Sequence, residues 1–399
     1  MSNPFQQAVA FSPSNNGESI GNLTLGRGRI DGQNVHVAMI ENKLASGALG
    51  VAECDKLASL FTVAAATAAP VVMFIDSAGV RVSEGLPALG AFRRMYAAAL
   101  KADAAGSRMA CVLGAHCFGG ASMLAALCGA RYFANHTRLA MSGPSILAAT
   151  AGLSALDAAF HAVAEVSIGT PGRLKLDSAH QVFNDRVALP ASVALSARHQ
   201  MLGARLAAAK LTPTGQTESV QRKDLTALYL GGYAINQTNG MVQGTAGDIA
   251  IVGSIDRQPL TAARAHALAA CFWNMGDPAH TPVKTLHVLV DCEAHSSSLE
   301  DEKVMLSMYL ADLAHALQAL QRRGTRVETI VLGKLGGGTY VALAAASSAV
   351  HVIHGKEIQL LPGRAIAAIL GDSTAAKPEF SDYVRAGVAE RELKIGLPV

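Results

Sequence analysis

Short apolar runs alternate along the chain with longer stretches whose apolar positions recur at helical spacing. Residues 71–76 (VVMFID) form a β-branched run stopped by SAG. Residues 109–114 (MACVLG), 248–256 (DIAIVGSID) and 286–291 (LHVLVD) read the same way, as short buried strands. Between them, residues 45–69, about 86–104, and 262–275 carry the spacing of amphipathic helices. Regular strand–helix alternation predicts an α/β fold. Residues 1–19 are polar and read as a flexible arm. Residues 20 to about 41 read as short strands turning at Gly26, Gly28 and Gly32. Past residue 152, one helix is expected to about 166 and another ending near 210. The run 295–324 predicts one long helix, with acidic residues early and Arg322 and Arg323 late, an order that complements the helix dipole. Gly324 is its expected stop.

The most informative stretch is 112–144 (VLGAHCFGGASMLAALCGARYFANHTRLAMSGP). It predicts strand, glycine turn, helix start at Gly119 and Gly120, and a second strand before a Gly-Pro turn. A second copy occupies 331–363 (VLGKLGGGTYVALAAASSAVHVIHGKEIQLLPG). Val112 and Val331 lie 219 residues apart, Asp76 and Asp291 lie 215 apart, and Leu57 and Leu268 lie 211 apart. Three matches in one order with slowly drifting offsets indicate a duplicated domain. The expected organisation is an arm at 1–19, a first domain at 20–210, a linker at 211–222 (LTPTGQTESVQR) and a second domain at 223–399.

Composition narrows the function. A chain of 399 residues suits two ordinary domains. Only 16% of residues are charged, so extensive surface is expected to lie between domains or between copies, in a homodimer or higher homo-oligomer. The formal net charge of +3, without a basic block, argues against nucleic acid. The six cysteines form no C-x-x-C pair, and His295, His351 and His354 lack ligand spacing, so no metal is expected. The polar N-terminus has no leader pattern and no apolar run reaches membrane length, so the expectation is a cytoplasmic protein.

A helix start preceded by glycines offers backbone N–H groups that no intrahelical carbonyl uses. Together with the positive end of the helix dipole, these suit an anionic oxygen. The first bend (Gly119, Gly120, Ala121) is therefore a candidate oxyanion hole, and the second (Gly336, Gly337, Gly338) a related cradle. His116, three residues before Gly119, is a candidate proton donor, or else a strand-end histidine. Cys117 is a candidate nucleophile, or else a packing residue. Arg81 and Lys334 could hold a carboxylate or phosphate, or could be solvated charges. Asp76 and Asp291 read as strand ends.

These residues also resemble a known family. The segments 76–81 (DSAGVR), 117–120 (CFGG) and 138–144 (RLAMSGP), with Ala151, Gly152 and Asp157, resemble the β subunit of biotin-independent malonate decarboxylase. That subunit groups with the carboxyltransferases of acyl-CoA carboxylases. Residues 332–338 (LGKLGGG) resemble the γ subunit, so the chain resembles a fusion of the two over about residues 20–372. The resemblance implies two tandem crotonase-like β-β-α spiral domains. It implies decarboxylation of a malonyl thioester, with no tightly bound cofactor and with substrate carried on the phosphopantetheine arm of an acyl carrier protein or on CoA. Ser142, Gly143, Arg81, Lys334 and Gly336 become candidate substrate contacts. Ser145 stands where the family often has Glu, and residues 295–302 (HSSSLEDE) replace a Glu-rich stretch. A biotin-dependent carboxyltransferase and a non-catalytic scaffold are the competing readings.

Overall fold

The computed structural model describes residues 4–14, 19–152, 158–215, 222–280, 283–361 and 378–395. Asp157, residues 216–221 of the expected linker, and the Pro-Gly end of the second repeat lie outside the described residues. The chain divides into two compact units. One comprises Met1–Ala194 with Ser297–Met308, the other Leu195–Ser296 with Tyr309–Val399. The first segment of the first unit runs to Ala194.

The first unit runs α1 (Pro4–Ala8), β1 (Ser12–Pro13), β2 (Leu23–Ile30), β3 (Gln33–Ile40), α2 (Val51–Thr67), β4 (Val71–Ser77) and α3 (Gly85–Ala104). It continues through β5 (Met109–Phe118), α4 (Gly120–Leu127), β6 (Ala130–Phe133), β7 (Arg138–Ala140), α5 (Pro144–Thr150), α6 (Ala158–Ile168), α7 (Thr170–Leu176) and β8 (His180–Val182). The sheet order is β1-β2-β3-β4-β5-β6-β8, with β7 pairing β5 beyond β6. Strands β1 to β3 pair antiparallel and the rest parallel. Most of β4 and the first six residues of β5 are buried, which is why they read as continuous apolar runs. α4 buries every residue from Ala121 to Leu127, so it too is apolar all round.

The second unit opens with α8 (Leu195–Ala209) and α9 (Arg222–Leu228), then β9 (Ala234–Thr238), β10 (Met241–Ala246), β11 (Ile249–Arg257), α10 (Ala262–Met275) and β12 (Thr285–Cys292). After α11 (Leu299–Lys303), which lies in the first unit, come α12 (Leu306–Arg322), β13 (Arg326–Gly336), α13 (Gly337–Ala344), β14 (Ala349–Ile353), β15 (Glu357–Gln359), a helix at Phe380–Ala386 and β16 (Arg391–Leu393). Its sheet order is β9-β10-β11-β12-β13-β14-β16, with β15 pairing β13. This repeats the first sheet position by position. The fold class is the expected α/β plan, carried by two units with one strand order.

Three local expectations are corrected. The N-terminal segment is not a loose arm over residues 4–14: Phe5 and Val9 are fully buried against Val35, Val37, Met39 and Val72, and β1 pairs with β2. Gly26 and Gly28 lie inside β2, not at turns. A Cβ on Gly28 would stand 2.3 Å from Val9 O, and one on Gly26 would stand 2.4 Å from Ser12 O, so both are glycine because the segment crosses directly over them. The long helix is broken between α11 and α12, where Met305 takes φ of 66°. Among the described residues no helix is long and apolar enough to cross a membrane.

Candidate functional site: an open bend and a closed one

Strand β5 delivers the first bend. Gly119 caps α4 with φ of 55° and ψ of −131°, a conformation essentially restricted to glycine. Its N–H is shared between Ala140 O and Met141 O at 3.2 and 3.1 Å, so this amide holds the bend against the chain after β7. The next two amides differ. Among the described residues, neither Gly120 N–H nor Ala121 N–H has a hydrogen-bond partner. They are the first two donors of an eight-residue helix and sit at the positive end of its dipole. Gly120 has a packing role as well, because a Cβ there would meet the Phe92 ring at 2.5 Å.

The second bend starts the same way and ends differently. Gly337, with φ of 54°, donates to Leu360 O at 3.1 Å, matching Gly119. Gly338, the counterpart of Gly120, donates to His295 Nδ1 at 3.0 Å. The buried imidazole fills the bend: a Cβ on Gly337 would stand 2.7 Å from His295 Nδ1. Burial pushes His295 down to about 4, so near neutrality it is uncharged and able to accept. Gly336 is an extended N-cap whose Cα faces Gln359. The expected second cradle is therefore corrected, since two of its three amides are already used. One side chain makes the difference. Isolated bridges pair Leu260 with His295 and Leu49 with Val80, so Val80 occupies the position of the plug in the first unit.

The other expected residues divide. Asp76 accepts His116 N–H at 3.1 Å and Asp291 accepts Lys334 N–H at 2.9 Å, so each carboxylate fastens the strand beside it. Arg81 is held by Glu84 at 2.6 Å, by the buried Glu53, and by Ala48 O at 2.9 Å. These bonds outweigh burial and hold its pKa up, and they commit its guanidinium to the fold rather than to a ligand. Lys334 is exposed, in the unit whose bend is closed. Cys117 is fully buried and burial drives its thiol well up, which removes it as a nucleophile. Ser142 N–H donates to Glu302 Oε1 at 2.8 Å and its hydroxyl meets Ser297 Oγ at 3.1 Å, so it is occupied too. Gly143 caps the short α5, and a Cβ there would make only ordinary contact with Phe118.

His116 fares better. It and Phe118 point to one side of β5 and line a cleft of about 680 Å³ with Arg138, Pro144, Ser145, His161, Ala162 and Glu165. The cleft starts one residue before the open bend. His116 Nδ1 lies 3.8 Å from Asp76 Oδ1, and Arg138 pairs with Glu165 at 2.7 Å.

Sequence reasoning missed Glu302. Its side chain is fully buried, with Arg173 Nη2 at 3.6 Å, and burial raises its carboxyl to about 7 against the pull of Arg173 and the backbone donors. It supplies a carboxylate beside the Ser-Gly-Pro turn from another segment, which no local pattern announces. His295 was more findable: aligning the repeats at the Asp76/Asp291 offset puts it opposite Val80.

The chain is 28% identical over 130 residues to the methylmalonyl-CoA carboxyltransferase 12S subunit of Propionibacterium freudenreichii subsp. shermanii, covering 33% of this chain and 25% of that one. It is 28% identical over 128 residues to the propionyl-CoA carboxylase carboxyltransferase subunit of Haloferax mediterranei, covering 32% and 25%. The chain thus spans about a quarter of the length of these relatives. A solved Pseudomonas malonate decarboxylase hetero-tetramer in complex with malonate is 22% identical with a TM-score of 0.40, over 46% of this chain and 75% of that one. The transcarboxylase 12S structure with methylmalonyl-coenzyme A and methylmalonic acid is 16% identical with a TM-score of 0.34, over 98% and 85%. Residues 3–175 match the carboxyl transferase domain family, and this match takes in the open bend, His116 and Arg138.

Proposed function

We propose that the chain is an enzyme that decarboxylates a malonyl thioester, using the first bend as its oxyanion hole. The observation that carries this is the pair of unengaged amides, Gly120 N–H and Ala121 N–H, at the start of α4. As the bond to the departing carboxylate breaks, its electron pair moves into the thioester and charge gathers on the thioester oxygen. Donors placed there bind the transition state more tightly than the ground state. One such donor is worth roughly 3–4 kcal/mol. Carbon dioxide leaves, and a proton delivered to the α-carbon gives the acetyl thioester. His116, in the cleft that starts beside the bend, is the candidate donor of that proton.

The substrate arrives on CoA or on the phosphopantetheine arm of an acyl carrier protein. The CoA thioesters in the names of the curated relatives favour a thioester of this kind. The enzyme works as a homodimer or higher homo-oligomer, a reading supported by Val163 and Val166 on α6, which stand 50% and 65% exposed. The second reading, a carboxyltransferase that passes the carboxyl to biotin brought by a partner, is favoured by those same names. It is disfavoured by the second bend, where His295 has taken the amide that a second acceptor's oxygen would need. Mass spectrometry of malonyl-CoA and malonyl-acyl carrier protein incubated with the full chain distinguishes the readings. Loss of carbon dioxide without biotin supports the decarboxylase, biotin-dependent loss the transferase, and no change a scaffold.

A further inference from the structure

In the second unit, three helices bring two imidazoles and one carboxylate to a point. His199 comes from α8, His266 from α10 and Asp312 from α12. The His199 Nδ1 to Asp312 Oδ2 distance is 2.7 Å, and His266 Nδ1 lies 3.9 Å from the same oxygen. One ligand atom from each residue falls within 4.8 Å of the others. The two rings stack at 4.1 Å. Two features go beyond chance proximity. His266 Nδ1 is a buried nitrogen with no hydrogen-bond partner, although it is aimed at the carboxylate. Asp312 Oδ1, the oxygen facing away, is fixed by Trp273 Nε1–H at 3.0 Å, as an outer partner fixes a ligating carboxylate.

The geometry points to a divalent transition-metal site, best suited to zinc, ligated by His199, His266 and Asp312. Two imidazoles and a carboxylate form a ligand set zinc accepts, with bonds of about 2.0–2.2 Å and ligand atoms roughly 3.3 Å apart around a tetrahedron. The present separations bracket that value, so small side-chain rotations suffice. His199 and His266 keep 17% and 19% of their side-chain surface, which leaves a path for entry and a place for water as the fourth ligand. The sequence separation of 113 between His199 and Asp312 explains why no spacing motif reveals the site, and why the sequence alone led to the expectation of no metal.

The chain's single tryptophan is the built-in reporter, one hydrogen bond from the carboxylate. The full chain, stripped with chelator, is titrated with zinc and with cobalt(II) while Trp273 fluorescence and visible absorption are followed. The expected result is saturation at one metal per chain, quenching of Trp273 by cobalt, and the strong visible bands of four-coordinate cobalt. His199→Ala and His266→Ala should each weaken binding by more than the roughly 10–100-fold typical of outer-shell partners. Asp312→Asn, which keeps an oxygen for Trp273, should weaken it with the unliganded fluorescence unchanged. Absence of stoichiometric binding in the parent chain overturns the proposal. So does a His199→Ala/His266→Ala double variant that binds as tightly as the parent.

Discussion

A single side chain separates the two bends, and residue-level tests follow from it. Val80 leaves Gly120 N–H unengaged in the first unit, while His295 at the matching position binds Gly338 N–H in the second. Ala121→Pro removes one open donor from the first turn of α4, where proline is tolerated. It should lower kcat about 10²–10³-fold with the melting temperature little changed. Unchanged turnover would remove Ala121 from the hole. His295 carries the pH prediction. Its folded pKa of about 4 lies below the unfolded value of 6.5, so the folded state binds fewer protons between them. The stability it contributes is present above the unfolded value and is lost as pH falls toward about 4. Urea unfolding should show the parent losing roughly 3 kcal/mol relative to His295→Gln between pH 7.5 and pH 4. Parallel curves would show that the imidazole is not buried neutral. The glycine turns were legible in the sequence, but not which amides stood open. The acceptors that decide this (Ala140, Met141, Leu360 and His295) come from other strands and loops.

Among the elements, strands and helices could be read wherever burial imposed a period. β4, β5, α10 and β12 fall almost where the apolar pattern put them. Reading failed where tertiary contacts overrode local signals. Gly26 and Gly28 resemble turn residues, yet they are flat spots in β2 over which Val9 and Ser12 pass. Residues 295–324 look like one helix because methionine is a good helix former. Tertiary hydrogen bonds from Ser142 N–H and Arg173 to Glu302 instead hold α11 in the first unit. The N-terminal segment is the clearest test at this scale. Phe5 is fully buried in the core of the first sheet, so Phe5→Ala should cost about 3–5 kcal/mol of stability by denaturant unfolding. A cost under about 1 kcal/mol would return that segment to the status of a loose arm.

For the molecule as a whole, duplication is the organising fact. Two sheets with one strand order, each with a short seventh strand paired back to its fifth position, match the drifting repeat offsets of the sequence. A duplicated fold need not keep duplicated chemistry. In this chain one bend stays open while the other is filled, which concentrates the proposed reaction in the first unit. The most direct measurement is the mass of a malonyl thioester after incubation with the full chain, in the absence of biotin. The account predicts conversion to the acetyl thioester with release of carbon dioxide, abolished or strongly slowed by Ala121→Pro. A malonyl thioester recovered intact, or consumed only when biotin is supplied, would contradict it.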